Sequence, residues 1–325
     1  MSSRKTLYVC VSLDVEEEGL FGGHYEITSP SLENISFLPK LIPLSRQFRL
    51  PLTLFCAYSV FSNSRACKTL DYMRENCAVE IGAHLHHWNT PPLENGKSGA
   101  PERTHLLKPE LLNARLNTLL EAAEKYLGYP ATSFRMGRWD LKAPILELLA
   151  ARGIKTDSSI CPLRCFPGGP NHFLAPVKPY WRITGAGKIL VAPITQTPVF
   201  ASLAHCWHSF AQKKPAMLDK FHFFGALSPN PFWHGNAVMR MAARKLVAEG
   251  GNILNMFWHS SEIMPGGSPQ TPNQSAAERH LKKIHSFFTW LCSHYHVIGL
   301  TMSQLANMDD IFHFPVLAAE EGRDW

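Results

Sequence analysis

Acidic side chains occur where an apolar run ends early in the chain. The run Leu7–Leu13 is typical of a buried strand, and Asp14 and Glu16 follow it, with two more glutamates after them. Residues two apart in extended backbone point to the same side, so the two carboxylates would share one face. The carboxyl end of a parallel strand is where α/β folds place catalytic groups. The segment is either a catalytic acid pair or a solvated acidic turn.

Three histidines lie within four residues after another strand-like run, Cys77–Ala83. His84 and His86 share one face of an extended segment, so both imidazoles could reach a single metal ion. His87 would point the other way and pack against the protein or support the site. A lone histidine is usually structural, but this density at a strand end favours metal binding over packing.

An arginine and a further histidine end two later runs. Arg135 closes the run Thr132–Arg135, where its guanidinium could orient a carboxylate through paired hydrogen bonds. A surface arginine is the alternative. His259 follows the run Ile253–Trp258 and could serve as an acid or a base near neutral pH. The alternative for His259 is a capping residue at a strand–loop junction.

Short β-rich runs alternate with helical patterns and would position these side chains. Four further runs complete a set of eight predicted strands: Leu52–Cys56, Ile154–Ser158, Lys188–Ile194 and His296–Leu300. An apolar stripe that begins at Leu116 predicts a helix that ends at Gly128, and further helices are predicted over Pro144–Arg152 and Ala237–Glu249. The alternation predicts an α/β fold of parallel strands with crossover helices. Segments 91–101 and 161–179 are predicted to be loops that wall a site.

Composition excludes several classes of protein. A hydrophobic content of 45% excludes disorder, and the net charge of +6 is scattered rather than grouped along a nucleic-acid track. It permits at most contact with anionic substrates or a membrane surface. No apolar stretch reaches ~18 residues, so we expect no transmembrane segment. The chain lacks a full dinucleotide fingerprint, a Walker loop and a nucleophile elbow, which excludes Rossmann and serine-hydrolase functions. It also lacks a signal-peptide pattern, so we expect a reduced, cytoplasmic protein.

Taken in order, the four segments resemble the motifs of the polysaccharide deacetylase family, which shares the NodB homology domain. The matching segments are Asp14-Val15-Glu16, His84-Leu85-His86-His87, Phe134-Arg135-Met136-Gly137-Arg138-Trp139 and Phe257-Trp258-His259-Ser260-Ser261-Glu262. Residues 80–92 and 259–269 are similar to a bacterial branch called WalW-like. The resemblance covers about residues 6 to 305. It implies one distorted (β/α)7 barrel over residues 1–325, with insertions around 88–107, 161–180 and 200–235.

The resemblance also implies one divalent ion, which we take to be zinc. Family members use two adjacent acids, one as base and one as ligand, and two histidines four residues apart. Here Val15 stands for the second acid and Trp88 for the second histidine. We therefore assign the base to Asp14 and the ligands to Glu16, His84 and His86. The reverse use of the two acids, with Asp14 on the metal and Glu16 as base, is the alternative.

The implied reaction is removal of an N-acetyl group from a sugar unit by activated water, in polysaccharide or glycolipid biosynthesis. His259 would protonate the leaving amine and Arg135 would orient Asp14, while Trp88, Trp139 and Asp157 would contact the substrate. For Asp157 a plain role as hydrogen-bond acceptor at the strand end is equally open. Two other functions are compatible: a deformylase or other non-peptide amide hydrolase, and a carbohydrate-binding barrel that has lost its ion.

Overall fold

A computed structural model describes residues 4–93, 101–318, 323 and 325 of the chain. The described residues form a mixed α/β structure around one large, mostly parallel sheet. The strands are β1 (Thr6–Val15), β2 (Leu52–Ala57), β3 (Val79–Leu85), β4 (Ser133–Met136), β5 (Thr156–Asp157), β6 (Tyr180–Thr184), β7 (Gly187–Val191), β8 (Thr197–Pro198), β9 (Ala226–Leu227), β10 (Ile253–His259), β11 (His296–Leu300) and β12 (Val316–Leu317).

Helices follow most of the strands of this sheet. They are α1 (Ile42–Phe48), α2 (Tyr58–Phe61), α3 (Ser64–Asn76), α4 (Pro109–Leu127), α5 (Ala143–Ala150), α6 (Ala201–Ala211), α7 (Pro215–Leu218), α8 (Asn236–Ala248), α9 (Gln274–His294), α10 (Met302–Ala306) and α11 (Asp309–Phe312). Within the described part of the chain, none of them is both long and apolar enough to span a bilayer.

Seven strands run parallel in the order β10-β1-β2-β3-β4-β5-β7. The segment after β7 brings the two ends of this row together, because the Thr195 amide donates to the Asn255 carbonyl oxygen on β10. The Asn255 amide in turn donates to the Thr195 hydroxyl. The predicted (β/α)7 barrel class is confirmed. The barrel is distorted because β5 has two residues and an irregular segment makes the closure.

Three further strands extend the sheet outside this ring. β6 pairs antiparallel with β7, and β12 pairs with β6. β11 pairs with residues 6–10 of β1, whereas β2 pairs with residues 11–15. Since β10 occupies the other edge of β1, β11 and β2 lie one above the other along the same edge. The eighth predicted strand therefore supports the ring without belonging to it.

Side chains along β1 alternate between two faces, and each face packs in a different apolar cluster. Leu7, Val9 and Leu13 belong to the main apolar cluster, which also holds the helix faces. Cys10 on the opposite face belongs to a second cluster that includes Phe55 and Met302. Apolar side chains therefore fill the amino end of the barrel interior, and the inward-facing positions further along β1 are polar. This leaves the carboxyl end of the barrel for chemistry.

The predicted helices are confirmed, with small differences at their ends. The apolar stripe from Leu112 to Leu127 ends in Gly128, whose φ of 82° suits a glycine. The longest helix, α9, was absent from the sequence analysis although Ile284, Phe287, Phe288 and Leu291 form its buried stripe. Asn273 caps it by accepting a hydrogen bond from the Ala276 amide.

The three predicted insertions have different structures. Residues 161–179 contain no regular element beyond one bridge between Cys165 and Asn171, as expected for a loop. Residues 200–235 contain α6, α7 and β9 and pack partly against that loop. The insertion at 88–107, like the Pro/Gly-rich loop 91–101, includes residues 94–100, which lie outside the described residues. The single-domain organisation stays a prediction.

The tight packing around β3 generates a stability prediction. A Cβ on Gly82 would lie 2.5 Å from the Ser133 hydroxyl oxygen and 2.7 Å from Phe55 Cδ1. We expect Gly82→Ala to lower the free energy of unfolding by about 1–3 kcal/mol through overpacking. Urea unfolding measures this. Gly235→Ala is the matched control, since a Cβ on Gly235 meets nothing within 4 Å and should change stability little. Equal effects in the two variants would contradict the packing argument.

Candidate active site

A buried arginine fixes the position of the first predicted acid. Arg135 Nη1 donates to Asp14 Oδ1 at 2.6 Å, and Nη2 donates to the hydroxyl oxygens of Ser12 and Ser158 at 2.8 and 2.9 Å. Its Nε donates to the Ser158 carbonyl oxygen. Arg135 is fully buried, so these bonds replace its hydration. The predicted role of Arg135 in orienting Asp14 agrees with this geometry.

The second acid lies between the two predicted histidine ligands. Glu16 Oε2 is 3.1 Å from Nε2 of His84 and 3.1 Å from Nε2 of His86. All three side chains are buried, and their ligand atoms lie within 4.8 Å of one another. The spacing of two residues on each strand brings the three groups together, as the sequence predicts. Because Glu16 lies between the imidazoles, the geometry favours Glu16 over Asp14 as the carboxylate ligand.

Nδ1 of each of these two imidazoles also has a hydrogen-bond partner. His84 Nδ1 is 2.9 Å from the carbonyl oxygen of Arg135. His86 Nδ1 is 2.8 Å from Glu17 Oε1, which also accepts a hydrogen bond from the Trp88 indole at 3.1 Å. Trp88 stacks on His86 with ring centroids 4.1 Å apart. These contacts fix the ring orientation and leave both Nε2 atoms directed at Glu16.

Glu17 and Glu262 are functional candidates that the sequence analysis did not assign. Glu262 Oε2 accepts from the backbone amide of His259 at 2.8 Å and lies 3.0 Å from His259 Nδ1. His259 Nε2 points to the acids, 3.7 Å from Asp14 Oδ2 and 4.0 Å from Glu16 Oε1. The His-x-x-Glu spacing at a strand end, which resembles a capping box, was the available signal for Glu262.

At this end of the barrel, attraction between carboxylates and histidines outweighs the effect of burial on their pKa values. Burial alone would lower the pKa of His86, but Glu17 and Glu16 raise that pKa to about 10. Burial likewise opposes charge on His259, and Glu16, Glu262 and Asp14 raise its pKa to about 9. Burial raises the pKa of Glu16, but the neighbouring histidines outweigh it and lower the pKa. The four carboxylates of this cluster, Asp14, Glu16, Glu17 and Glu262, thus stabilise positive charge on His86 and His259.

The ligand atoms fit a divalent metal ion. One carboxylate oxygen and two imidazole nitrogens form the donor set of catalytic zinc sites, which keep a further position open. The buried convergence of Glu16, His84 and His86 supplies such a set, with Asp14 and His259 alongside. The arrangement can therefore combine a Lewis acid, a carboxylate base and an imidazole acid within one cluster.

The predicted fold finds support in known structures, whereas no family model matches the chain and no curated protein sequence matches it. The chain is similar to a protein described as a polysaccharide deacetylase from Mycobacterium smegmatis, with a TM-score of 0.59 and 16% identity over 99% of this chain and 96% of that one. Puue allantoinase gives 0.60 and 15% over 94% and 90%, and a protein described as a polysaccharide deacetylase from Pseudomonas aeruginosa gives 0.58 and 16% over 94% and 92%. At such identities the likeness shows the fold.

Aromatic side chains line the approach to this cluster. Trp139 packs edge-on against Phe257 at 4.7 Å, and Trp233 contacts the same ring at 5.2 Å. Phe21 meets His259 edge-on at 5.1 Å. Trp139 is buried against Phe257, and its predicted substrate contact stays a prediction, whereas Trp88 stacks on His86 and supports the imidazole. His87 points away from the cluster, with Nε2 2.9 Å from the Glu102 carbonyl oxygen.

Asp157 does not reach the cluster, which corrects its assignment as a substrate contact. It is fully buried, and its carboxylate accepts hydrogen bonds from the amide and hydroxyl of Ser159. Ser158, the next residue along, contacts Arg135 inside the barrel. Alternation along a strand therefore turns Asp157 to the opposite face. The structure supports the role of a strand-end hydrogen-bond acceptor.

Burial of Asp157 generates a pH prediction. Burial raises the pKa of Asp157 from 3.8 to about 7, against the opposing hydrogen bonds of Ser159. The folded state then binds this proton more tightly than the unfolded state, so stability falls as pH rises from about 4 to 7. The slope is at most roughly 1.4 kcal/mol per pH unit. Asp157→Asn should remove this decline. Urea unfolding of the metal-free protein across that range measures it, and identical slopes for both proteins would contradict the raised pKa.

Proposed function

We propose that this chain is a metal-dependent hydrolase that removes an N-acetyl group from a sugar unit. The observation that carries the proposal is the convergence of Glu16, His84 and His86 beside two held catalytic groups, Asp14 and His259. Two of the structural neighbours are described as polysaccharide deacetylases. The ordered motifs point to the same family and to its WalW-like branch.

Glu16, His84 and His86 would hold the ion, and we propose zinc from the donor set. A divalent ion bound there supplies Lewis acidity, which lowers the pKa of water and polarises an acyl oxygen. The contacts of His84 to the Arg135 carbonyl and of His86 to Glu17 keep both imidazoles in the orientation that ligation needs.

Asp14 would take the proton of the attacking water. Its Oδ1 is engaged by Arg135 at 2.6 Å, whereas Oδ2 lies on the side of His259 and is available as a base. The Arg135 contact holds the carboxylate in one orientation. Proton transfer to a positioned carboxylate typically contributes 10²–10⁴-fold to the rate.

His259 would return a proton to the departing amine. In the metal-free protein its pKa of about 9 keeps the imidazole protonated near neutral pH, and Glu262 holds Nδ1 so that Nε2 faces the cluster. The acid and the base lie 3.7 Å apart, with Nε2 of His259 near Oδ2 of Asp14. One tetrahedral centre between them can therefore exchange protons with both groups.

The substrate class follows from the aromatic residues next to the cluster and from the motif resemblance. Phe21 and Trp233 are partly exposed beside His259 and Phe257 and offer ring surface of the kind that packs on sugar rings. A glycolipid or polysaccharide precursor carrying an N-acetylated sugar fits these features. The eight free cysteines suit a reducing compartment, so we place the reaction in the cytoplasm.

Hydrolysis of a different small amide is the second candidate. The likeness to Puue allantoinase supports it, since that protein matches the fold as well as the deacetylases do. The same ion, base and acid would serve a formamide or another non-peptide amide. A substrate panel that records acetate, formate and ammonia separately distinguishes the two candidates.

The central experiment measures acetate released from N-acetylated sugar nucleotides and glycolipids by the zinc- or cobalt-loaded protein. We expect turnover in the wild type and a loss of roughly 10²–10⁴-fold in Asp14→Asn, because the base is removed. Asp310→Asn is the matched control, since that carboxylate is exposed on α11 and should leave the rate unchanged. Absence of any acetate release, with zinc bound stoichiometrically, would exclude the deacetylase function.

Zinc affinity tests the role of Glu17. Glu17→Gln keeps the shape of the side chain but removes the charge beside His86 Nδ1, so we expect zinc to bind roughly 10–100-fold more weakly. Competition with a chromophoric chelator measures the dissociation constant. Glu18→Gln is the matched control, because Glu18 contacts Ser31 and Asn34 rather than an imidazole.

Two results would contradict this account of the metal site. Equal losses in Glu17→Gln and Glu18→Gln would show that only net charge matters. Failure of the wild type to bind zinc would favour a carbohydrate-binding barrel without an ion, and zinc binding that survives His84→Ala would contradict the assigned ligand set.

A further inference from the structure

Exposed aromatic residues are concentrated in one insertion of the barrel. Four of the five exposed phenylalanines among the described residues lie between residues 200 and 224: Phe200, Phe210, Phe223 and Phe224. Phe210 and Phe223 are 69% and 78% exposed. Scattered exposed apolar residues are ordinary, but a contiguous group marks an interaction site.

The helix α6 turns its large side chains outward. Ala204 and Ala211 face the protein, whereas Leu203 and Phe210 face solvent. Trp207 is half-buried and contacts Phe210 at 5.9 Å and Phe224 at 5.1 Å between ring centroids. The resulting aromatic surface consists of Phe200, Leu203, Trp207, Phe210, Phe223 and Phe224. Stability does not explain it, since an amphipathic helix normally buries its bulky residues.

Basic residues border the aromatic surface. Lys213, Lys214 and Lys220 are all exposed. Asp219 is the single acidic residue between 196 and 235, and Arg164 neutralises it through a contact of 2.7 Å between Nε and Oδ1. The surface thus combines aromatic side chains with positive charge that no local carboxylate balances. This is the composition of segments that lie in the interface of an anionic bilayer.

The aromatic surface belongs to the same end of the barrel as the active site. Its insertion follows β7 and packs on the loop after β5, with Phe173 edge-on to Phe221 at 5.3 Å. A few residues further along, the side-chain amide of Asn230 donates to the carbonyl oxygen of Phe257 at 2.9 Å. Phe257 is two residues before His259. A partner docked on the aromatic surface would therefore lie close to the active site.

We propose that the aromatic surface docks the protein on anionic lipid bilayers as a peripheral membrane protein. The phenylalanines and Trp207 enter the headgroup region while the lysines contact lipid phosphates. A second copy of the chain is disfavoured as the occupant, because a two-fold contact through this surface would bring the lysines of both copies together. The further step, that the substrate sugar is carried on a lipid, rests on the proposed function, whereas membrane docking does not.

Vesicle sedimentation tests the docking without any assay of activity. Wild-type protein is mixed with vesicles of equimolar phosphatidylcholine and phosphatidylglycerol, and in parallel with phosphatidylcholine alone. We expect binding to the anionic vesicles that weakens as salt is raised. The double variants Phe210→Asp/Phe223→Asp and Lys213→Glu/Lys214→Glu should each bind at least about tenfold more weakly. Thermal unfolding confirms that the variants fold.

Matched controls change exposed apolar residues elsewhere on the molecule. Tyr129→Asp and Ile311→Asp alter side chains of similar exposure and should bind vesicles as the wild type does. Absence of wild-type binding to anionic vesicles overturns the proposal, as do equal losses in the control variants. Concentration-dependent dimers in lipid-free buffer that Phe210→Asp/Phe223→Asp dissociates would overturn it in favour of a second copy on this face.

Discussion

The ion pair between Arg135 and Asp14 is the constraint on which the rest of the site depends. A fully buried guanidinium is tolerated only when its charge is paired and its donors are satisfied, and here Asp14, Ser12 and Ser158 meet that need. The carbonyl oxygen of the same arginine holds His84 Nδ1. One residue therefore positions the proposed base and one proposed ligand, so the distance between them is set by the barrel rather than by mobile loops.

Crowding of carboxylates explains why the cluster is suited to a cation. Asp14, Glu16 and Glu17 lie within four consecutive residues. Glu17 contacts His86, Asp14 lies near His259, and Glu16 lies between these two histidines. Like charges this close repel strongly in a buried site unless positive charge lies between them. Protonated His86 and His259 supply it in the isolated protein, and a divalent ion at Glu16 would supply it more compactly. Glu262 lies outside the proposed ligand set and contacts Nδ1 of the proposed acid His259 at 3.0 Å.

Strand alternation made most of this arrangement predictable from the sequence, and the end of the alternation after β1 explains why Glu17 was missed. Asp14, His84 and Arg135 lie within regular strands, so the face to which each side chain points could be inferred. β1 ends at Val15, and beyond that point the alternation no longer holds, which lets the adjacent Glu16 and Glu17 both reach His86. The assignment of Asp157 as a substrate contact has a different cause. Alternation still holds at Asp157 in β5, so the inward face goes to the next residue, Ser158. The register of so short a strand cannot be inferred from the sequence.

Long-range packing could not be inferred in the same way. The sequence places the aromatic residues around 200–224 in a predicted insertion, but hydrophobic composition does not distinguish a buried ring from an exposed one. The structure shows that α6 buries two alanines and exposes its bulky residues. A barrel whose core is already filled by its strands and by α10 gains little from this insertion. Its outward aromatic residues and unbalanced lysines make physical sense at a boundary between water and lipid, where both kinds of side chain are stabilised at once.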